Sequence, residues 1–364
     1  MFLFRKNKRR PISFNNSLVP GLTPPHTSGG SSLQALLLFR IENSNMKRLA
    51  FKPKSKFRES LGAKFIALNA FIALIAILLI FVFIFKEALP IFSDKDIRSE
   101  AGLDRMINKQ VYYEGREAKW SWQPNSEVPK YSLYPLFLGT IKAALIAMLF
   151  AIPLGVGAAI YSAEFATPRF REIVKPIVEL LAAIPSVVLG FFALMILATF
   201  LQDILGLPFR LNALNAGIAL GLAVIPIVFT IAEDAMTSVP RSLRDAAVAL
   251  GANPWQVSLT MVLPAAIPGI SAGIVLGFGR AIGETMIVLM ASGNAAIISA
   301  SFLDSARTFS ATIAAELAEV VFGDTHYTVL FFIGSLLFVL TFLINLSGDL
   351  ILVRLKTRFQ GKIK

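Results

Sequence analysis

Residues 65–85 form a run of 21 apolar or uncharged positions between Lys64 and Lys86, long enough at 1.5 Å per residue to cross about 30 Å of hydrocarbon. Five further apolar stretches follow, at 136–161, 173–201, 211–232, 264–290 and 329–353. Each predicts a transmembrane helix. Between the first two, residues 86–135 turn polar, with eight Lys/Arg against eight Asp/Glu and with Pro90, Pro124 and Pro129. This stretch reads as an external loop. Pro153, Pro185, Pro226 and Pro268 fall inside predicted spans. Simple kinks and broken helices lining a path are both open for them.

Residues 1–46 are rich in Asn, Ser, Pro and Gly, and their one apolar run, 35–39, is too short to span and precedes no small-residue cleavage pattern. Disorder is the expectation for this segment. Met46, followed by KRLAFKPKSKFRES, is an alternative start for the native product, which would leave 1–45 outside it. The organisation expected is a disordered basic cytoplasmic tail over 1–64, a first span at 65–85, a periplasmic loop over 86–135, a five-helix unit over 136–353 with a cytoplasmic coupling loop at 234–263, and a basic cytoplasmic tail over 354–364.

Composition agrees with the spans. The AVILMFWYC set makes up 55% of the 364 residues, only 16% are charged, and mean hydropathy is +0.67. Soluble domains carry roughly 25% charged residues. The chain has no cysteine, so disulfides and thiolate chemistry are excluded. His26 and His326 have no neighbours at ligand spacing, which leaves no basis for a metal centre or a Ser-His-Asp triad. No cofactor is implied.

The net charge of +12 is local. Residues 1–64 hold thirteen Lys/Arg against Glu42 and Glu59, so the rest of the chain is nearly neutral. Such a tail fixes membrane orientation and touches anionic lipid more often than it binds nucleic acid. Arg169 and Arg171, Arg241 and Arg244, and the C-terminal Arg354, Lys356, Arg358, Lys362 and Lys364 fall on the same side as that tail. The opposite loops are balanced or carry only Arg210 and Arg307 among basic residues. The positive-inside rule then places both termini in the cytoplasm.

The most specific feature is RSLRDAAVALGANPWQVSLTMVLP, residues 241–264. Leu243, Ala246, Ala247 and Leu250 recur at i, i+3, i+4 and i+7, one face of a short amphipathic helix. Gly251 stands where a left-handed terminator is wanted, and Asn253-Pro254 supplies an N-cap and first position for a second helix. Periodicity leaves two readings open: a hairpin packed on its own bundle, or a small surface that seats in another protein's groove.

This loop resembles the EAA loop of ABC-importer permeases, with Asp245-Ala246-Ala247, Gly251, Met261 and Leu263-Pro264 at the family's spacings. Asp245 and Met261 depart from the family's Glu and Ile. The stretches PKYSLYPLFLGT, IPLGVGAAIYSAEF, IPSVVLGFF, GRAIGETM and DSARTFSATIAAELAE are similar to phosphate-importer permeases of the Pst type, the last pointing to the PstC-like member. The resemblance covers roughly 120–355 and leaves out 1–60 and 91–119. It implies an all-α membrane protein with six transmembrane helices and a MetI-like permease core. It also implies a PstA-like second permease, two copies of a cytoplasmic ATPase that Asp245, Ala246, Ala247, Leu250, Gly251, Leu263 and Pro264 would engage, and a periplasmic phosphate-binding protein.

Arg280 and Glu284 lie four residues apart within the predicted fifth span, which places them on one helical face. Charges there are costly and usually face a bundle interior or a watery cavity. Two readings stand: a guanidinium fork for a phosphate with Glu284 holding or releasing it, or a buried pair that only locks helices. The resemblance favours the first, placing both residues at a charged position typical of phosphate permeases. Lys142 and Glu179 sit nearer span ends, where long side chains snorkel. Gly273/Gly277, Gly279/Gly283 and Gly217/Gly221 fit small-xxx-small packing. No GxxxxGK[ST] occurs, so the chain carries no P-loop, and ATP hydrolysis is expected on a partner. The expected function is the membrane permease subunit of an ATP-driven phosphate importer in the bacterial inner membrane. The rivals are the same machine for sulfate or molybdate, an ion-gradient-driven carrier, and a membrane-embedded enzyme.

Overall fold

The computed structural model describes residues 56–112 and 117–359, with side chains described from Gly62 to Arg354 except at 113–116. The expectations for residues 1–55, namely a disordered basic tail, lipid contact and an internal start, lie outside the described residues, as do 360–364. The chain divides into two compact units, Met1–Ile75 and Ala76–Lys364. What is described of the first is the opening of helix α1, Lys56–Ala88, so residues 56–64, expected in the tail, are helical. The side chains of Phe65, Ile66, Leu68, Phe71, Ile72 and Leu74 are all exposed, as a lipid-facing helix requires.

Six helical stretches are long and apolar enough to cross a membrane among the described residues: Gly62–Ser93, Tyr134–Phe165, Ser186–Leu205, Ala213–Thr237, Pro254–Gly283 and Thr325–Arg354. After α1 come the short helices α2 (Pro90–Ser93), α3 (Lys95–Ala101) and α4 (Leu103–Ile107) and an antiparallel pair, β1 (Trp122–Gln123) with β2 (Lys130–Tyr131), in register Trp122↔Tyr131. Ile91, Ile97, Met106, Trp122 and Tyr131 from this region pack with Phe309, Leu330 and Ile333 in one core. Ile91, Ile97 and Met106 of the 91–119 segment are therefore part of the body's core.

The second span is α5, Tyr134–Ile160, extended by a π-helical turn, Tyr161–Phe165. The predicted third span, 173–201, is corrected. Helix α6 covers Pro168–Ala182, and the chain turns before α7 (Ser186–Phe192), a π turn (Ala193–Leu197) and α8 (Ala198–Leu205). Pro185 ends the first helix, since it has no N–H to donate and holds φ −58°, ψ 137°. Ile173, Ile177, Leu180 and Leu181 form one exposed apolar stripe on α6 opposite Arg171 and Lys175, the pattern of a helix lying along a bilayer surface rather than through it. Glu179 is exposed on α6 and sits outside every span.

Helix α9, Ala213–Thr237, is the central span. Asn212 caps it, accepting from the Asn215 N–H at 2.9 Å, and it packs most extensively on α5 and on α12. Close approach explains the glycines. A methyl group on Gly217 would stand 2.4 Å from Ile146 Cγ2 of α5, and one on Gly277 would stand 2.9 Å from Val224 Cγ1 of α9. A methyl group on Gly279 would stand 3.0 Å from Asn345 Oδ1 of the last span, while one on Gly283 meets no atom within 4 Å among the described residues. Pro153 and Pro226 sit inside continuous helices, and the path reading of those prolines has no break to rest on.

Helices α10 (Arg241–Ala249) and α11 (Pro254–Val257) follow. A π turn, Ser258–Val262, joins α11 to α12 (Leu263–Gly283), so the fifth span begins ten residues earlier than expected, within the loop. It also ends earlier. Glu284 is extended at φ −71°, ψ 134°, and a separate helix, α13 (Met286–Ala291), follows. Helix α14 (Phe309–Glu316), capped by Thr308, and the last span α15 (Thr325–Phe359) complete the fold.

Candidate coupling and translocation sites

Helix α10 ends as the local sequence requires. Gly251 has φ +85°, the Gly251 N–H donates to Val248 O at 2.9 Å, and the Ala252 N–H reaches back to Ala247 O at 3.1 Å. Asn253 and Gln256 form a reciprocal cap: Asn253 Oδ1 accepts from the Gln256 N–H at 2.8 Å, and Gln256 Oε1 from the Asn253 N–H at 2.9 Å. The expected helix–turn–helix is present, with its second helix running on into the fifth span.

The residues singled out on this segment separate into two sets. Ala247 is buried, 5% exposed, against Val257, Val262 and Met236, with Met261 and Leu263 packed on the same cluster. These side chains hold the hairpin to its own bundle, and Pro264 opens α12. Asp245 and Ala246 are exposed, as are Leu243, Val248 and Trp255. Leu250 is 88% exposed. One side of the hairpin thus packs on its own bundle, and the other presents apolar surface outward.

Beneath α10 lies a charged network of which Arg171 and Arg244 entered the sequence analysis only as markers of sidedness. Arg244 donates from Nη2 to Glu164 Oε1 at 2.8 Å and to Met236 O at 2.9 Å, from Nε to Glu164 Oε2 at 3.3 Å and from Nη1 to Val239 O at 2.6 Å. Arg171 donates to Ser162 O and Ala163 O and lies 3.4 Å from Glu233, whose side chain is 2% exposed. Lys175 Nζ reaches Glu233 at 3.0 Å and Asp234 at 2.7 Å. The hydrogen bond to Asp234 leads the contributions that raise the Lys175 pKa above its ordinary 10.5, so it remains a cation at physiological pH. Glu164 and Glu233 stand at span ends, and their partners lie tens of residues away. Helical periodicity carries no signal for such pairs.

Arg280 and Glu284 are not two positions on one helix face. Helix α12 stops between them, its last turn carrying Gly279 and Gly283, both poor helix formers, followed by the β-branched Thr285. Ser310 Oγ donates to the Glu284 carbonyl at 2.7 Å, and Glu284 Oε1 accepts from the Thr285 N–H at 3.1 Å. Arg280 is exposed, Glu284 is half-buried, and no ion pair joins them among the described residues. The locking-pair reading thus has no ion pair to rest on among the described residues, and Arg280 stands beside a break in a membrane helix. Asn215, fully buried in α9, donates to the carbonyl of Ala291, the last residue of α13, at 3.0 Å. Lys142 is buried, 8% exposed, with Nζ donating to Ser301 O at 3.0 Å.

Residues 151–360, more than half of the chain, match the family described as binding-protein-dependent transport system inner membrane component. Among curated proteins, the chain is similar to the phosphate transport system permease protein PstC of Mesorhizobium japonicum, 36% identical over 65% of this chain and 78% of that one. It is also similar to the probable ABC transporter permease protein YqgH of Bacillus subtilis, 34% identical over 61% and 72%. Among solved structures, a bacterial ABC transporter involved in the import of the acidic polysaccharide alginate aligns with a TM-score of 0.54 at 14% identity, covering 82% of this chain and 99% of that one. That likeness shows the fold alone. The six spans and the matched segment together place the chain as a multi-pass protein of the binding-protein-dependent transport system inner membrane component family.

Proposed function

We propose that the chain is the permease subunit of an ATP-driven inorganic phosphate importer, forming part of the translocation path and taking its drive from a separate ATPase. The similarity to PstC proteins over about two thirds of the chain supports the substrate class. The exposed side of α10 supports the coupling. An apolar surface with Leu250 almost fully solvated costs free energy unless a partner covers it, and its position beside Asp245-Ala246-Ala247 fits the cleft of a cytoplasmic ATPase. In this reading both termini are cytoplasmic, a PstA-like permease completes the path, and a periplasmic phosphate-binding protein delivers substrate at the far end.

Arg280 would meet substrate. A guanidinium without an ion-pair partner among the described residues, at a helix break, would present two N–H donors to two phosphate oxygens in a fork that lysine does not reproduce. Glu284, one step beyond, would repel the anion and speed its release. The opening of the α12–α13 break during turnover would carry the anion past both.

The test is uptake of radiolabelled phosphate into vesicles containing this chain with its co-purified partners. Uptake that requires ATP and persists in excess sulfate and molybdate is the expected result. Uptake abolished by sulfate or molybdate would move the assignment to another oxyanion. Uptake that runs on an ion gradient without ATP would overturn the coupling to an ATPase.

A further inference from the structure

Helix α10 is attached to its own chain by little. Ala247 is its one buried side chain, and an alanine offers a small contact. The stronger attachment is Arg244. One guanidinium makes four hydrogen bonds, two to the carboxylate of Glu164 and two to the carbonyls of Met236 and Val239. Glu164 sits in the π turn that ends α5, Met236 in the last turn of α9, and Val239 in the link that follows it. The Glu164 side chain is only 8% exposed, so the pair is largely shielded from solvent and weakly screened.

The same π turn is gripped from its other side. Arg171 of α6 takes the Ser162 and Ala163 carbonyls, and Arg171 and Lys175 both reach Glu233 of α9. The Phe165 ring lies 5.6 Å from that of Trp255 on α11. Residues 161–165 are thus held at once by α6, α10 and α11. Helices α5 and α9, whose ends carry these acceptors, also pack extensively on each other.

We propose that Arg244 and Glu164 are positioning residues for coupling: a charged strut through which movement of α10 is delivered to the ends of α5 and α9. The inference rests on the permease reading and adds the route by which force enters the bundle. A bidentate arginine–carboxylate pair suits this role because it resists rotation as well as separation. Glutamine at 164 keeps the size of the side chain and discards its charge.

The experiment uses the full chain assembled with its partners in proteoliposomes, as wild type, Glu164→Gln, Arg244→Gln and the conservative Glu164→Asp and Arg244→Lys. Four quantities are read: ATPase retained on purification, ATP hydrolysis rate, phosphate taken up per ATP, and maleimide labelling of a single Met286→Cys beside the α12–α13 break, with and without ATP and vanadate. The chain has no cysteine of its own, so the label found on this chain after its separation from the partners reports one position. The glutamine variants are expected to retain the ATPase and its hydrolysis while uptake per ATP falls by roughly ten- to a hundredfold, the range of a coupling free energy between two sites. The nucleotide-dependent change in labelling is lost with it, and the conservative variants fall between. Uptake per ATP equal to wild type in the glutamine variants overturns the strut. So does a parallel loss of ATPase retention, hydrolysis and uptake across all four variants, the mark of a merely structural role. A wild-type complex that shows nucleotide-dependent labelling and no phosphate uptake would sink the substrate assignment instead, and labelling of the variants would still decide the strut.

Discussion

Gly139 of α5 lies directly against the Arg307 carbonyl: a methyl group on Gly139 would stand 2.1 Å from that oxygen. The contact joins α5 to the segment entering α14, where the Phe309 N–H donates to Thr140 Oγ1 at 3.1 Å. Gly139→Ala must push Arg307 away and with it the Arg307–Glu316 ion pair. Overpacking of this kind costs about 1–3 kcal/mol, and the expected result is a lower thermal unfolding midpoint in detergent. Gly157→Ala, on the same helix with no atom within 4 Å of the added methyl, is the control and should leave the midpoint unchanged or slightly raised.

Glu316 gathers donors at the far end of the bundle. It accepts from Trp122 Nε1 at 3.1 Å and His326 Nε2 at 2.9 Å, and pairs with Arg307. Burial on its own raises the carboxyl pKa. The His326 hydrogen bond, the Arg307 charge and the Trp122 N–H outweigh it, and the group titrates below its ordinary 4.5. A depressed carboxylate pKa contributes stability that is fully present above the unfolded value and is lost as pH falls through the folded one. The unfolding midpoint should therefore drop as pH is lowered below 4.5, with Trp122 emission shifting in step. Glu316→Gln should be less stable at neutral pH and lack that acid-dependent component, a difference that thermal melts across pH would register.

Leu250→Asp tests the outward side of α10. At 88% exposure the substitution should change the stability of the isolated chain by no more than about 0.5 kcal/mol. Recovery of the ATPase on purification should fall sharply. Ala247→Asp, on the inward side, should instead lower the yield of folded protein, and quantitative pull-down beside a melting curve separates the two.

Asn253→Ala removes half of the reciprocal cap that starts the fifth span. Loss of an N-cap acceptor costs about 1 kcal/mol, and glycine at 253 should cost less. Chemical or thermal unfolding in detergent gives the ranking, and equal effects of alanine and glycine would contradict it.

Arg280→Ala is expected to abolish phosphate uptake with no loss of thermal stability, because Arg280 makes no ion pair among the described residues and is exposed in the isolated chain. Arg280→Lys should restore little, since an ammonium is not a fork. A melting midpoint that falls together with uptake would assign Arg280 to structure.

Much was determined by the sequence itself. Long runs without charge dictate helices in a medium that cannot hydrogen-bond the backbone, so six spans were legible, together with the cap at Asn253 and the turn at Gly251, which depend on local chemistry. Tertiary structure decided what local patterns cannot encode. An apolar stretch reads alike whether its helix crosses the bilayer or lies upon it, and only the turn at Pro185 separated α6 from the third span. The end of α12 before Glu284 has no proline to announce it, and is stabilised by a serine 26 residues on. Ala246 and Ala247 are neighbours with identical side chains, one exposed and one buried, because packing against Val257 and Val262 chose between them. Arg244 and Glu164 are 80 residues apart. Charge pairing at that separation is set by where whole helices end, which no window of sequence contains.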